Sequence, residues 1–222
     1  MATNDLPLSV RLLGRTDYGI VWDDMKSFTN GRDDSTQDQL WVTEHNPVFT
    51  LGQAAKQQHL LMPGDIPVVK TDRGGQVTYH GPGQIVAYLL RDLRNRGDTV
   101  HEFVSGLEQA MIEMLASYGI DAVRRQGTPG VYVDGRKIGA LGLRIRRGCS
   151  YHGLSLNVAM DLEPFSRINP CGLIGMEVAQ VADFAPDVEL DEAVQTLIRS
   201  ICNQFCYTSS HCMQSIEDSF LA

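Results

Sequence analysis

Apolar and polar positions along this chain follow two periods. The run LSVRLLG (8–14) alternates and predicts a strand, and residues from about 16 to 29 shift to helical spacing. A polar stretch, NGRDDSTQD, follows, and then two short β-rich runs, QLWVTEH (39–45) and PVFTLGQ (47–53). The segment 66–93 alternates again but is punctuated by glycines, which predicts strands joined by a shaped loop. The clearest helix is 99–118. Val100, Phe103, Val104, Leu107, Met111, Met114, Leu115 and Tyr118 form one apolar stripe, Thr99 and Glu102 form a capping-box pattern, and Gly119 suits the stop. Asp134-Gly135, flanked by β-formers, predicts a hairpin. A second helix is expected near 190–206, with Val194, Leu197, Ile198, Ile201 and Phe205 on one face. Strands bracketing one long helix and preceding another predict an α/β (α+β) fold, with a mixed, largely antiparallel sheet and flanking helices. One domain over 1–222 is expected, with 180–222 as a candidate small C-terminal annex.

Composition narrows the function classes. The chain has 222 residues, is 43% hydrophobic and carries a formal charge of -8. That balance argues against nucleic acid as a partner, since a phosphate backbone demands a basic face. No apolar run approaches the roughly 20 residues needed to cross a bilayer, so no membrane role is expected. The N-terminal residues show neither a basic region nor an apolar signal core. With an odd count of five cysteines, this predicts reduced thiols and a cytoplasmic protein. The basic clusters RDLRNRG (91–97) and RIRRG (144–148) are read as solvated faces or as contacts for an acidic partner.

Candidate chemistry centres on Cys171, in the stretch SRINPCGLIG. Pro170 fixes φ and Gly172 accepts positive φ, so Cys171 is expected on a tight turn, as nucleophile or as packing. Cys149, Cys202 and Cys206 read as small buried side chains. Cys202, Cys206, His211 and Cys212 match no standard zinc spacing, so no metal site is expected. A thiol nucleophile needs a base, and the candidates are His80, His152 and a lysine. Lys137 follows the Asp-Gly turn. In a regular strand it shares a face with Leu141, Leu143 and Ile145, where desolvation would suit it as a base. Alternatively it snorkels to water at the strand end, or a bulge at Gly139 or Gly142 changes the parity. The run RGGQVTYHGPGQ (73–84) lacks the lysine of a phosphate loop and does not open a helix. Its glycines suit close backbone approach to a ligand, with Arg73, Tyr79 and His80 as polar groups.

RGGQVTYHGPGQIVAY (73–88), GRKIGALGLRIRRGCSYHGLSLNV (135–158), RINPCGLIGMEV (167–178) and EHNPVFTLGQ (44–53) together closely resemble the lipoyl(octanoyl) transferase family, in matching order over about 39–185. The resemblance implies the catalytic core shared with biotin and lipoate protein ligases. It implies transfer of an octanoyl group from acyl carrier protein to one lysine of an acceptor protein. The acceptors would be lipoyl domains of 2-oxoacid dehydrogenase E2 subunits and the glycine cleavage H protein. Cys171 would be the nucleophile and Lys137 its helper. The acyl tunnel would be lined by Arg73, Gly74, Gly75, Gln76, Val77, Thr78, Tyr79, His80, Ala140, Leu141, Gly142, Gly153, Leu154 and Ser155. No ATP, metal or other cofactor is implied, and a monomer is expected. Backbone N–H groups at Gly172 or around 140–142 are the suggested oxyanion donors. The alternatives are an ATP-dependent ligase on the same fold, a noncatalytic acyl-carrier-binding module, and a cysteine hydrolase using His152 or His80.

Overall fold

In the computed structural model, which describes residues 7–207, the chain runs in order through fourteen α-helices and β-strands, with short 3-10 turns between some of them. These are β1 (Leu8–Thr16), α1 (Tyr18–Gly31), β2 (Asp38–His45), β3 (Val48–Leu51), β4 (Val68–Lys70), β5 (Val77–His80) and β6 (Gln84–Leu90), followed by α2 (Leu93–Arg96) and α3 (Val100–Ser117). The rest is β7 (Val123–Arg124), β8 (Val131–Val133), β9 (Arg136–Arg146), β10 (Cys149–Asn157) and α4 (Leu190–Gln204). Seven strands form one sheet in the order β1-β2-β6-β10-β9-β8-β7, and β4-β3-β5 form a small second sheet. In the large sheet only β1 and β2 pair in parallel. The expected mixed, largely antiparallel α+β architecture is the observed one.

Strand parity explains the layering. On β6, Ile85, Ala87 and Leu89 face one core with α3 and α4, while Val86, Tyr88 and Leu90 face α1. Both faces are covered, which is why QIVAYLL is apolar almost throughout. The capping box forms as expected: Thr99 Oγ1 accepts from the Glu102 N–H at 3.2 Å, and Glu102 accepts from the Thr99 N–H at 2.9 Å. Val100, placed in the apolar stripe by spacing, is instead 49% exposed, because it occupies the first turn ahead of the packed face. Leu197, Ile198 and Ile201 of α4 share the main core with α3.

The basic cluster at 91–97 is only partly a solvated face, with Arg94 exposed and Arg91 buried. It folds as α2, and its charges are spent internally: Arg91 on Asp98, Arg94 on Asp92, and Arg96 on the buried Asp38. The cluster at 144–148 conceals a tight turn, with Arg147 at φ 50° and Gly148 at φ 80°, joining β9 to β10. The predicted Asp134-Gly135 turn has the same sign at both residues, φ 50° and 80°. Among the cysteines, Cys149, Cys171 and Cys206 are free thiols, while Cys202 is disulfide-bonded, which departs from five reduced thiols. Cys149 is buried at the start of β10, as expected. Cys206 is exposed just past α4 rather than buried. His211 and Cys212 of the weighed metal cluster lie outside the described residues. Among those described, no group of three potential ligands could hold a metal ion. No helix among them is long and apolar enough to cross a membrane.

Candidate active site

Cys171 sits in a 3-10 turn, Pro170–Gly172, with its own backbone at φ 57°, ψ 14°. A side-chain-bearing residue in this left-handed region costs on the order of 1–2 kcal/mol. The turn is fixed by Gly172 N–H donating to Asn169 O at 2.9 Å and Leu173 N–H donating to Pro170 O at 3.1 Å. The Gly172 N–H is therefore already committed within the turn, which counts against it as an oxyanion donor. Residues 140–142 belong to β9 and pair with β10 rather than forming a turn.

Lys137 reaches this turn because of one irregularity. Val131 pairs with Gly139, but Tyr132 pairs with Lys137, so Ile138 is an extra residue in the ladder. Paired residues point to the same side of a sheet, and Val131 and Tyr132 point to opposite sides. The bulge thus turns Lys137 away from the face of Gly139 and Leu141. The expected shared face with Leu141, Leu143 and Ile145 is not what forms: those three pack on the main core, and Lys137 points the other way. It does not snorkel either, being only 4% exposed. Its Nζ donates to Cys171 Sγ at 2.8 Å and to Pro129 O at 2.9 Å, and lies 5.3 Å from the Tyr132 ring centroid. The main chains are tied as well: Lys137 N–H donates to Glu177 O and Ala179 N–H to Lys137 O, both at 2.9 Å. Cys171 is an exposed residue and Lys137 a buried one, an arrangement that lets a thioester approach the thiol with little water around the lysine.

A pocket opens beside Cys171, with about 510 Å³ of space between atoms, counting its mouth. The glycine run supplies Arg73, Gly75, Gln76, Val77, Thr78 and His80; β9 supplies Ala140, Leu141 and Gly142; β10 supplies Gly153, Leu154 and Ser155. Gly74 and Tyr79 are not part of the lining. Tyr79 packs between Phe49 and Phe165 on the opposite side of β5, with centroids 5.5 Å from each. Gly74 instead ties the loop to β9, its N–H donating to Leu143 O at 2.9 Å. Gly142 and Gly153 stand directly opposite each other across β9 and β10. A Cβ on Gly153 would lie 1.9 Å from Ala87 O, so backbone approach demands glycine there.

The polar groups of the glycine run are turned to structural use. Arg73 is buried, with Nε on Thr50 Oγ1 and the two terminal nitrogens on the carbonyls of Gly74, Thr50 and Gln76 at 2.6–2.9 Å. Burial pulls its pKa below the ordinary value. His80 Nδ1 meets Gln84 Oε1 at 2.7 Å, and burial pushes its pKa down to about 3. His152, at φ 58°, has Nε2 on Asp72 Oδ1 at 2.9 Å and Nδ1 near the Tyr18 hydroxyl at 3.3 Å. Burial lowers its pKa in spite of Asp72. Asp72 is itself held well below the usual carboxylate range. Desolvation raises it, but hydrogen bonds from His152, Tyr151 and Trp22 outweigh that. Neither histidine is poised as a base for Cys171, whose hydrogen-bond partner is Lys137.

Sequence reasoning missed the far wall of the pocket, which Tyr18, Val86 and Tyr88 supply. Tyr18 stacks on His80, with centroids 5.8 Å apart, and the Tyr88 hydroxyl meets His45 Nε2 at 2.7 Å. Val86 and Tyr88 share one parity of β6, which is a usable signal, but Tyr18 arrives from α1 with no local cue.

The sequence model described as "Lipoyl protein ligase A/B catalytic domain" matches residues 17–202. The octanoyltransferase of Pseudomonas fluorescens is 56% identical over 200 residues, covering 90% of this chain and 93% of that protein. The octanoyltransferase of Shewanella loihica is 50% identical over 218 residues, covering 98% and 100%. Among solved structures, lipoate-protein ligase A bound with ATP superposes with a TM-score of 0.76 at 17% identity, covering 97% of this chain and 94% of that one. A biotin protein ligase from Aquifex aeolicus gives 0.55 at 12% identity, covering 88% and 68%. The ligases share the fold, the transferases share the sequence, and the chain belongs to the octanoyltransferase family of lipoyl protein ligase A/B catalytic domains.

Proposed function

We propose that this chain, acting as a cytoplasmic monomer with one catalytic domain, moves an octanoyl group from octanoyl-acyl carrier protein to a specific lysine of lipoyl domains and the glycine cleavage H protein, through a thioester on Cys171. The observation that carries this reading is the 2.8 Å contact between Lys137 Nζ and Cys171 Sγ, with a pocket at the sulfur. Lys137 takes the thiol proton, and the thiolate attacks the carrier thioester. The carrier thiolate leaves and regains that proton from Lys137. One thioester replaces another, so the first half-reaction is nearly balanced in free energy. The acceptor lysine amine then attacks the acyl-cysteine, the Cys171 thiolate leaves, and Lys137 receives the amine proton. Forming an amide from a thioester is downhill, so no nucleotide is required to drive it. Val86, Tyr88 and Ala140 give the alkyl chain apolar contacts, while Leu141 and Leu154, which border the pocket, pack their side chains on the main core.

Denaturing mass spectrometry after mixing with octanoyl-acyl carrier protein tests this directly. An octanoyl adduct on the Cys171 peptide is expected, with none in Cys171→Ala. Full transfer by Cys171→Ala would sink the mechanism. Product from octanoate and Mg-ATP without carrier protein would favour the ligase alternative, and free octanoate released faster than transfer would favour the hydrolase.

A further inference from the structure

Glu108 is a buried carboxylate, 7% exposed, on the packed face of α3. A charge in that position needs partners. One is Arg124, whose Nε donates to Oε2 at 3.2 Å from a partly exposed position. The other is the Gly130 N–H, which donates to Oε1 at 2.8 Å in buried surroundings. The peptide unit that carries this N–H is Pro129–Gly130, and its carbonyl accepts from Lys137 Nζ. A single peptide group therefore lies between a buried carboxylate and the lysine amine. Its N–H end faces the anion and its C=O end faces the amine, so each bond polarises the other. No carboxylate lies at ion-pair distance from Lys137 among the described residues. Gly130 makes the arrangement possible: its φ is +132°, and a Cβ there would lie 2.5 Å from Lys137 Cε.

We propose that Glu108 is a positioning residue for the Cys171–Lys137 pair, holding Lys137 on the sulfur through the Pro129–Gly130 peptide and giving the ammonium form a remote countercharge. This rests on the reading of Cys171 and Lys137 given under Proposed function. A merely structural acceptor for the Gly130 N–H need not be charged, and a glutamine oxygen would serve. Beyond the ion pair with Arg124 on its partly exposed side, only the relay requires the carboxylate. The other groups around the pair stay in place in the variants below: Tyr132 against Lys137, Arg73 on the Cys171 side, His59 beside Gly172, and Arg124 at Glu108.

The test is iodoacetamide labelling of the full chain between pH 6 and 9, read at the Cys171 peptide so that Cys149 and Cys206 do not interfere. Wild type, Glu108→Gln, Glu108→Ala and Lys137→Ala are compared, with kcat and KM for transfer and a thermal melt of each. Charge-assisted hydrogen bonds are about twice as strong as neutral ones, so Glu108→Gln should melt near wild type, label Cys171 roughly five-fold more slowly at pH 7, and lose kcat with KM unchanged. Glu108→Ala should lose more. Labelling and kcat at wild-type values in Glu108→Gln overturn the proposal, and this variant decides alone should the alanine variant not fold. If Lys137→Ala shifts the labelling profile and Glu108→Gln does not, only the role of Glu108 falls. If Lys137→Ala leaves the profile unchanged, the paired mechanism falls with it.

Discussion

Gly130→Ala is the sharpest test of how tightly Lys137 is placed. The added Cβ would lie 2.5 Å from Lys137 Cε and 2.6 Å from Gly139 O, at a φ of +132° that L residues rarely adopt. The carbonyl belongs to the sheet, so the backbone at residue 130 must give way to it, and the lysine side chain must move as well. Restoring ordinary contact moves Cε from 2.5 to 3.4 Å, a shift of 0.9 Å at the atom bearing the amine. Misplacing a reacting group by about 1 Å costs on the order of 10²-fold in rate. Backbone strain adds about 1–3 kcal/mol of destabilisation. At about 2–4 °C per kcal/mol for a chain of this size, Tm should drop roughly 2–12 °C, leaving the protein folded at 25 °C. The assay is a double-mutant cycle with Lys137→Ala, measuring octanoyl transfer and Tm. If the glycine acts through the lysine, Gly130→Ala adds nothing to the rate loss of Lys137→Ala. Wild-type transfer by Gly130→Ala, or rate losses that multiply in the double variant, would refute the reasoning.

Other outcomes follow from neighbouring features. Burial lowers His80 to about 3 and His45 to about 4, against an unfolded value near 6.5. The unfolded state therefore binds more protons between those values. Stability is fully present above pH 6.5 and lost on acidification, with a slope approaching about 1.4 kcal/mol per pH unit for each histidine. Urea titrations at pH 7, 6 and 5 giving equal stabilities would contradict this. Ala140→Phe fills the pocket wall beside Cys171 and should slow octanoyl adduct formation about ten-fold or more, with iodoacetamide labelling within about two-fold of wild type. Equal slowing of both would point to general distortion instead. Thr99→Ala removes the α3 cap and should cost about 1 kcal/mol in chemical denaturation while transfer is unchanged.

Much of this architecture is legible in local chemistry. Thr99 and Glu102 mark the start of α3, Asp134-Gly135 marks its hairpin, and Pro170 and Gly172 mark the turn that presents Cys171. In each, the signal and its consequence lie within a few residues. The direction of Lys137 is not legible, because it depends on whether Ile138 is counted into the ladder, and one bulge reverses every parity argument beyond it. The Arg147-Gly148 turn is hidden because arginine rarely takes positive φ. Glu108 reads as an ordinary polar helix position, and its meaning comes only from Gly130, 22 residues on. Tyr18 reaches the pocket by tertiary packing that no window of the sequence contains.

The double attachment between Lys137 and the nucleophile loop has a mechanical consequence. From Cys171 the chain runs to Glu177, crosses by hydrogen bond to the Lys137 backbone, and returns along the lysine side chain to the sulfur. That path is a closed ring, so sulfur and amine share one reference frame. A load on the exposed Leu173 and Ile174 is therefore shared with the Lys137 main chain as well as with the turn that carries the sulfur.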